Sequence, residues 1–207
     1  RLMDKPRGAV RALVIAPTRE LAAQIEADLR DLARFTPVKG AAVFGGVGMG
    51  PQDTAFRRGV DIIVATPGRL LDHMQHPYVR LDALEVLVLD EADRMLDMGF
   101  LPDIRRILGK LPKQRQTLLF SATMPAPIAA LAREFLRNPV PINQERQAAP
   151  ATGITHSVYA VAQDLKGGLL AALLKREEMR SVLVFTRTKH GANRLAEQLA
   201  KRGIATD

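Results

Sequence analysis

Residues 86 to 93 read Val-Leu-Val-Leu-Asp-Glu-Ala-Asp, an apolar run that ends in three carboxylates within four positions. A short, continuous apolar run with β-branched residues is typical of a strand buried on both faces of a parallel sheet. Ligands of such sheets bind beyond the carboxyl ends of the strands. Asp90 and Glu91 are therefore candidates to hold a hydrated Mg²⁺ and to position a water beside a nucleotide phosphate. The alternative is that these carboxylates only complement the dipole of the next helix.

The composition excludes several classes of protein. The 207 residues include no cysteine, which excludes a disulfide framework, a thiolate metal site and a thiol nucleophile. No apolar stretch approaches the roughly 20 residues that span a bilayer, so we expect a cytoplasmic protein without membrane contact. The formal net charge of +8 favours a polyanionic partner, although charged helix faces that serve only solubility are an alternative.

Short apolar strands alternate with helical apolar periodicity along most of the chain. This alternation predicts an α/β fold with a parallel, doubly wound sheet. The predicted strands are residues 12–16, 60–65, 84–89 and 117–120, and the predicted helices lie within residues 21–32, 69–74, 104–111 and 128–135.

A proline-containing polar segment interrupts this rhythm. We predict a first domain at residues 1–145, a linker at 146–153 and the start of a second domain at 154–207. The second part offers two candidate strands, too few to close a core, so we expect it to be incomplete. Its predicted strands are 154–161 and 182–185, and its predicted helices are 165–174 and 193–201.

Two motifs that follow predicted strands combine a hydroxyl, the start of a helix or turn, and a cation. Together these groups could hold a phosphate. An ordinary capped helix start is the alternative interpretation. The motifs are Pro17, Thr18 and Arg19 after the first strand, and Thr66, Pro67, Gly68 and Arg69 after the second.

Two further motifs lie near predicted strand ends. Gly45 and Gly46 allow another backbone to approach closely, or they form a plain flexible turn. They are not a phosphate loop, because no Gly-Lys-Ser/Thr sequence follows them. Ser121 and Thr123 follow the strand after the acidic one, so their hydroxyls could reach Asp93, or they could cap a helix.

The four histidines have no cysteine or acidic partner at metal-ligand spacing. We therefore predict that all four are solvated surface residues. They are His73, His76, His156 and His190.

In their order along the chain, these motifs resemble those of the DEAD-box RNA helicases of superfamily 2. Residues 184–189, Val-Phe-Thr-Arg-Thr-Lys, are similar to a further motif of that family, and the resemblance covers essentially the whole chain. The amino-acid sequence of residues 45–52 and 112–127 is most similar to that of the bacterial RhlE-like branch.

The resemblance implies ATP and Mg²⁺ as cofactors and RNA as partner. Asp90 would bind Mg²⁺ through water, and Glu91 would orient and deprotonate the attacking water. Asp93 would complete the nucleotide site and, through Ser121 and Thr123, couple it to domain closure. Contacts to the RNA backbone would be independent of base sequence. Those contacts would come from Pro17, Thr18, Arg19, Gly45, Gly46, Thr66, Gly68, Arg69, Thr186 and Arg187.

The sequence also departs from the family pattern. It has neither the Gly-Lys-Thr phosphate loop nor the His-Arg-Gly-Arg motif that supplies arginine fingers. We therefore expect an internal fragment: a RecA-like domain without its N-terminal phosphate-loop part, followed by the start of a second RecA-like domain. The parent would couple ATP hydrolysis to local RNA unwinding, and this chain alone would not hydrolyse ATP. The alternative is a non-catalytic RNA-binding module or decoy.

Overall fold

The computed structural model describes residues 8–142, 154–176 and 178–206. The chain divides into two compact units, Arg1–Ile142 and Asn143–Asp207, and each unit is described by itself. The predicted linker, residues 146–153, and the predicted domain end at residue 145 lie outside the described residues.

The first unit is built on a parallel sheet of five strands. The strand order is β2-β3-β1-β4-β5, and every neighbouring pair runs parallel. The predicted α/β fold with a parallel sheet is therefore confirmed. The strands are β1 (Ala12–Ile15), β2 (Gly40–Val43), β3 (Ile62–Ala65), β4 (Val86–Leu89) and β5 (Gln116–Leu119).

Six helices accompany the sheet in the described part of this unit. Several begin as their sequences predict: the Thr18 hydroxyl accepts a hydrogen bond from Leu21 N at 3.2 Å, and Pro67 occupies the first turn of its helix. The helices are α1 (Arg19–Leu32), α2 (Gly50–Arg58), α3 (Pro67–His73), α4 (Ala92–Asp97), α5 (Leu101–Leu108) and α6 (Ala126–Phe135).

The central strands are buried on both faces. In β3, Ile63 belongs to the larger core cluster, while its neighbour Val64 packs in a second cluster with Ala16 and Ala22. Successive strand residues point to opposite faces, so both faces of the sheet are covered. This explains why the strands read as continuous apolar runs. The larger cluster includes Leu13, Ile15, Leu87, Leu89, Ile104, Ile107, Ile128 and Leu131.

Three elements of this unit are absent from the sequence prediction: β2, α2 and α4. Strand β2 reads Gly-Ala-Ala-Val and carries little apolar bulk, so it forms because the parallel ladder of β3 pairs with it. Helix α2 begins in a glycine-rich stretch and ends at Gly59, whose φ of 64° is the left-handed conformation typical of a helix end.

The second unit contains two helices in its described part, α7 (Lys166–Leu174) and α8 (Lys189–Ala200). The predicted strands at 154–161 and 182–185 are wrong for the described chain, where these residues form no strand. Val158 is 99% exposed and Phe185 is 86% exposed. A strand needs a neighbour to pair its N–H and C=O groups, and an apolar pattern alone does not supply one.

None of the helices in the described ranges is both long enough and apolar enough to cross a membrane.

Candidate functional site

The carboxyl ends of the strands meet along one edge of the sheet. Ile15 is in register with Ala65 and with Leu89, and Leu89 is in register with Leu119. Hydrogen bonds continue one step beyond the strands, since Asp90 N donates to Ile15 O at 2.9 Å. The motifs predicted from sequence therefore begin at this common edge. They are Pro17–Arg19, Gly45 and Gly46, Thr66–Arg69, Asp90–Asp93 and Ser121–Thr123.

The acidic turn after β4 has an unusual backbone. Glu91 has φ 48° and ψ 52°, a left-handed conformation that costs a residue with a side chain about 1–2 kcal/mol. Glu91 N donates to Asp90 Oδ1 at 2.9 Å, and Ala92 N donates to Phe120 O at 3.0 Å. Backbone strain of this kind is concentrated at functional sites. The turn between β4 and α4 is thus held by one hydrogen bond within the turn and by one to the segment after β5.

The Glu91 carboxylate remains accessible to a ligand. Its Oε2 atom lies 3.1 Å from an Arg94 guanidinium nitrogen, and the Glu91 side chain is 40% exposed. An ion pair this open to solvent contributes little to stability, so it does not prevent the carboxylate from taking another partner.

Asp93 connects the acidic turn to the segment after β5. Thr123 donates to Asp93 Oδ2 twice, from its hydroxyl at 2.7 Å and from its backbone N–H at 2.8 Å. The Ser121 hydroxyl also contacts Asp93: it accepts from the Asp93 backbone N–H at 3.1 Å, donates to Thr123 O at 2.7 Å, and contributes to the lowered pKa of the Asp93 carboxyl. The hydrogen bond from the Thr123 hydroxyl is the main cause that lowers the pKa of Asp93 to about 2.

Replacing Thr123 with Val is expected to raise the pKa of Asp93 from about 2 toward its ordinary value of 3.8, because the hydroxyl donor is lost. Since the pKa is lower in the folded state, the contribution of this carboxylate to stability is present above 3.8 and disappears as the pH falls through about 2. The carboxyl ¹³C chemical shift of Asp93, followed against pH, measures the change. Thr36→Val is the control, since that hydroxyl donates to Ala33 O, and an equal shift in both variants would contradict the assignment.

The segment after β2 forms what we call the glycine loop, residues 44–48, with the sequence Phe-Gly-Gly-Val-Gly. Gly46 has φ 82°, and a Cβ atom at this position would collide with the Arg19 guanidinium. A residue with a side chain is therefore disfavoured here by the backbone conformation, and it would also displace the Arg19 guanidinium. The contact brings the motif after β1 and the glycine loop together, while the Arg19 side chain stays 56% exposed.

Arg69 also contacts the glycine loop, but its side chain is only 14% exposed. Its guanidinium donates to Val47 O at 2.9 Å, and its Nε lies 3.8 Å from Asp72 Oδ2. Arg69 is thus much less exposed than Arg19, whose guanidinium lies 3.6 Å from the exposed carboxylate of Glu20. A Cβ atom at Gly45 or Gly68 would meet nothing within 4 Å, so the space beside both residues is open.

Thr186 and Arg187 lie in the second unit and are exposed. The Thr186 hydroxyl donates to Thr188 O at 2.9 Å, and Thr188 caps α8 by accepting from Gly191 N at 3.0 Å. Their predicted contact with RNA stays a prediction.

His73 is not a solvated residue, contrary to the prediction from sequence. It is fully buried at the end of α3, with Nδ1 2.9 Å from the Tyr78 hydroxyl and Nε2 3.3 Å from Gln52 Oε1. The other three histidines are exposed, as predicted.

The sequence analysis did not identify Gln52 as a functional candidate. Its hydrogen-bond partners lie 4, 8 and 21 positions away in the sequence, so no local pattern indicates its role. No cluster of three metal-ligating side chains occurs within the described residues.

Comparison with known proteins decides the family. The model of the DEAD/DEAH box helicase family matches residues 1–131, more than half of the chain. The chain belongs to the DEAD/DEAH box helicase family. This DEAD-box chain is 39% identical over 196 residues to the ATP-dependent RNA helicase DbpA of Bacillus subtilis, a match that covers 95% of the chain and 41% of the relative. It is 44% identical over 204 residues to the ATP-dependent RNA helicase RhlB of Pseudomonas putida, covering 97% and 51%.

Solved structures agree with the DEAD-box fold. A hypothetical ATP-dependent RNA helicase from Sulfolobus tokodaii matches with a TM-score of 0.59 and 42% identity over 62% of this chain and 39% of that chain. The yeast DEAD-box splicing factor Prp28 matches with a TM-score of 0.61 and 33% identity over 64% of this chain and 34% of that chain. The predicted family is confirmed. The DEAD-box chain spans about half or less of the length of these relatives.

Proposed function

We propose that this chain supplies the catalytic carboxylates and part of the RNA-binding surface of an ATP-dependent RNA helicase, and that residues 146–153 link its two units. The observation that carries the proposal is the common edge of the sheet. The acidic turn at Asp90 and Glu91 follows β4, Arg19 follows the neighbouring strand β1, and the glycine loop, which Arg19 contacts, follows β2. The amino-acid sequence of residues 45–52 and 112–127 supports the finer proposal that the chain belongs to the RhlE-like branch of the family.

Asp90 suits a hydrated Mg²⁺. Its Oδ1 accepts from Glu91 N, while Oδ2 has no hydrogen-bond partner within residues 8–142, 154–176 and 178–206 and can accept from a metal-bound water. When bound, Mg²⁺ would neutralise charge on the ATP phosphates. Glu91 would orient the attacking water and accept its proton through the exposed carboxylate.

The RNA-binding surface would act on phosphates. Arg19 is an exposed cation in the first turn of α1, beside the glycine loop, and neither group presents a pattern that distinguishes one base from another. Contacts of this kind position the nucleic acid backbone and carry no sequence information. Binding would therefore be nearly independent of RNA sequence.

Arg19→Ala is expected to weaken binding of single-stranded RNA by the chain about equally for all sequences, and to reduce the salt slope by roughly 0.7 for one lost phosphate contact. Fluorescence anisotropy of labelled oligonucleotides across a salt series measures both quantities. Arg30→Ala is the matched control, because Arg30 lies in the last turn of the same helix and pairs with Glu26.

Two outcomes would contradict the proposed function. The first is that the wild-type chain does not bind RNA. The second is that Arg19→Ala keeps the wild-type salt slope, or changes base preference instead. Arg69→Ala is a less direct test, because this substitution also removes the hydrogen bond that holds Val47 O.

A further inference from the structure

The glycine loop has its carbonyl groups tied to the protein. Gln52 Nε2 donates to Phe44 O at 3.0 Å and to Gly48 O at 3.4 Å, so one side-chain amide bridges both ends of the loop. Arg69 donates to Val47 O at 2.9 Å. Three of the five loop carbonyls are therefore held from α2 and α3.

The N–H groups of the same loop, unlike its carbonyl groups, are not hydrogen-bonded to described parts of the protein. Within residues 8–142, 154–176 and 178–206, none of the four N–H groups from Gly45 to Gly48 has a hydrogen-bond partner. Gly46, Val47 and Gly48 are also exposed. Successive backbone N–H groups in a turn form a concave site for anions, so a loop with bound carbonyls and free N–H groups suits phosphate oxygens.

The orientation of the Gln52 amide and the tautomer of His73 depend on each other. Because Gln52 Nε2 faces two carbonyls, Oε1 must be the atom that faces His73 Nε2 at 3.3 Å. Gln52 Oε1 can only accept, so His73 Nε2 carries the proton and Nδ1 accepts from the Tyr78 hydroxyl at 2.9 Å. If the amide were reversed, its nitrogen would no longer reach the loop.

His73 is fixed in place by packing. Its ring is fully buried and lies 5.2 Å from the Phe56 ring and 5.9 Å from the Tyr78 ring, measured between centroids. Burial, and then the nearby charge of Arg69, lower the pKa of His73, which favours the neutral ring that this hydrogen-bond pattern requires.

We propose that Gln52 is a positioning residue for RNA binding, and that His73 orients its amide so that the glycine loop presents its free N–H groups to the phosphates of the RNA backbone. This inference rests on the proposed function. Neither side chain need touch RNA, because Gln52 is 6% exposed and His73 is fully buried. The two residues act through the backbone of residues 44–48.

The test uses the complete 207-residue chain, a short single-stranded oligouridylate and two readouts: the dissociation constant, and the NMR shifts of the Gly45 to Gly48 amides on addition of RNA. In the wild type all four amides are expected to shift. Gln52→Leu removes both hydrogen bonds to the loop and is expected to weaken binding about tenfold and to reduce these shifts. Gln24→Leu, on the exposed face of α1, is the matched control and should leave both readouts unchanged.

His73 provides a second, independent pair of variants. His73→Phe keeps an aromatic ring against Phe56 and Tyr78 but removes the donor to Gln52, so we expect it to behave like Gln52→Leu. His73→Gln restores an N–H donor near the position of Nε2 and is expected to recover most of the binding. A purely structural role would not give this rescue, because Gln fills the ring cavity less well than Phe does.

The outcomes separate the inference from the proposed function. If the wild type binds and Gln52→Leu and His73→Phe bind equally well with the same amide shifts, the inference is wrong and the proposed function stands. If affinity follows the stability of the variants and His73→Gln does not rescue it, the positioning role is also wrong. If Gln52→Leu does not fold, the His73 pair decides. A wild-type chain that fails to bind oligouridylate contradicts the proposed function itself.

Discussion

Replacing Glu91 with Gln in the complete gene product is expected to lower RNA-stimulated ATP hydrolysis by a factor of about 10² to 10⁴, which is the usual contribution of a general base. Gln keeps the size of the side chain and can still orient a water, but it cannot take the proton. ATP binding should change little, because the substitution leaves the Asp90 carboxylate and the fold of the turn in place. Phosphate release and equilibrium binding of a fluorescent ATP analogue measure the two effects separately.

Glu134→Gln is the control for this prediction. Glu134 lies on α6 and, like Glu91, is a partly exposed carboxylate in a surface ion pair, with its Oε2 atom 3.2 Å from Arg105 Nε. The control should hydrolyse ATP at the wild-type rate. Equal loss in the two variants, or full activity of Glu91→Gln, would show that Glu91 is not the base.

The acidic turn could be predicted from sequence because its determinants are local. Four apolar residues make β4, and the carboxylates that follow must emerge at the end of a parallel strand. The strained backbone at Glu91 could not be predicted, since a left-handed conformation is rare for glutamate and the next residue, Ala92, hydrogen-bonds to Phe120 O, which is distant in sequence. The apolar run of β4 therefore predicts where the carboxylates lie, while their orientation depends on tertiary contacts.

The glycine loop and its supports show the opposite case. Gly45 and Gly46 stood out in the sequence, but β2 before them and α2 after them did not, because β2 depends on pairing with β3. Gln52 and His73 reach the loop through contacts between separate elements. A buried histidine at the end of α3 has no periodic signal that separates it from an exposed one, and the prediction of a solvated His73 was wrong for this reason.

In the second unit, the apolar pattern of the sequence predicted strands that the described residues do not form. The apolar runs near Val158 and Phe185 have the composition of strands, yet the described residues form no ladder there. The helices α7 and α8 form close to their predicted positions, because a helix satisfies its backbone within its own segment. Strands depend on neighbours in a way that helices do not.

Replacing both Ser121 and Thr123 with Ala in the complete gene product is expected to remove most RNA unwinding while most RNA-stimulated ATP hydrolysis remains. The double substitution removes the hydroxyl that donates to Asp93 Oδ2 and the hydroxyl that accepts from Asp93 N. These hydrogen bonds contribute about 0.5–1.5 kcal/mol each, or about 1.5–3 kcal/mol where the acceptor is charged. That is enough to shift an equilibrium between two states of the enzyme, and small compared with the energy of a packed core.

The position of this contact explains why unwinding and hydrolysis should separate. It joins the segment after β5 to Asp93, while the proposed catalytic atoms belong to Asp90 and Glu91. Loss of the hydroxyls therefore leaves the proposed base and the proposed ligand of the metal-bound water intact.

Two assays on the same samples, strand displacement of a labelled duplex and phosphate release, give the ratio of unwinding to hydrolysis. Thr36→Ala, which removes a hydroxyl in the loop between α1 and β2, should leave the ratio unchanged. If unwinding and hydrolysis fell in equal proportion, the hydroxyls would belong to the hydrolytic step itself.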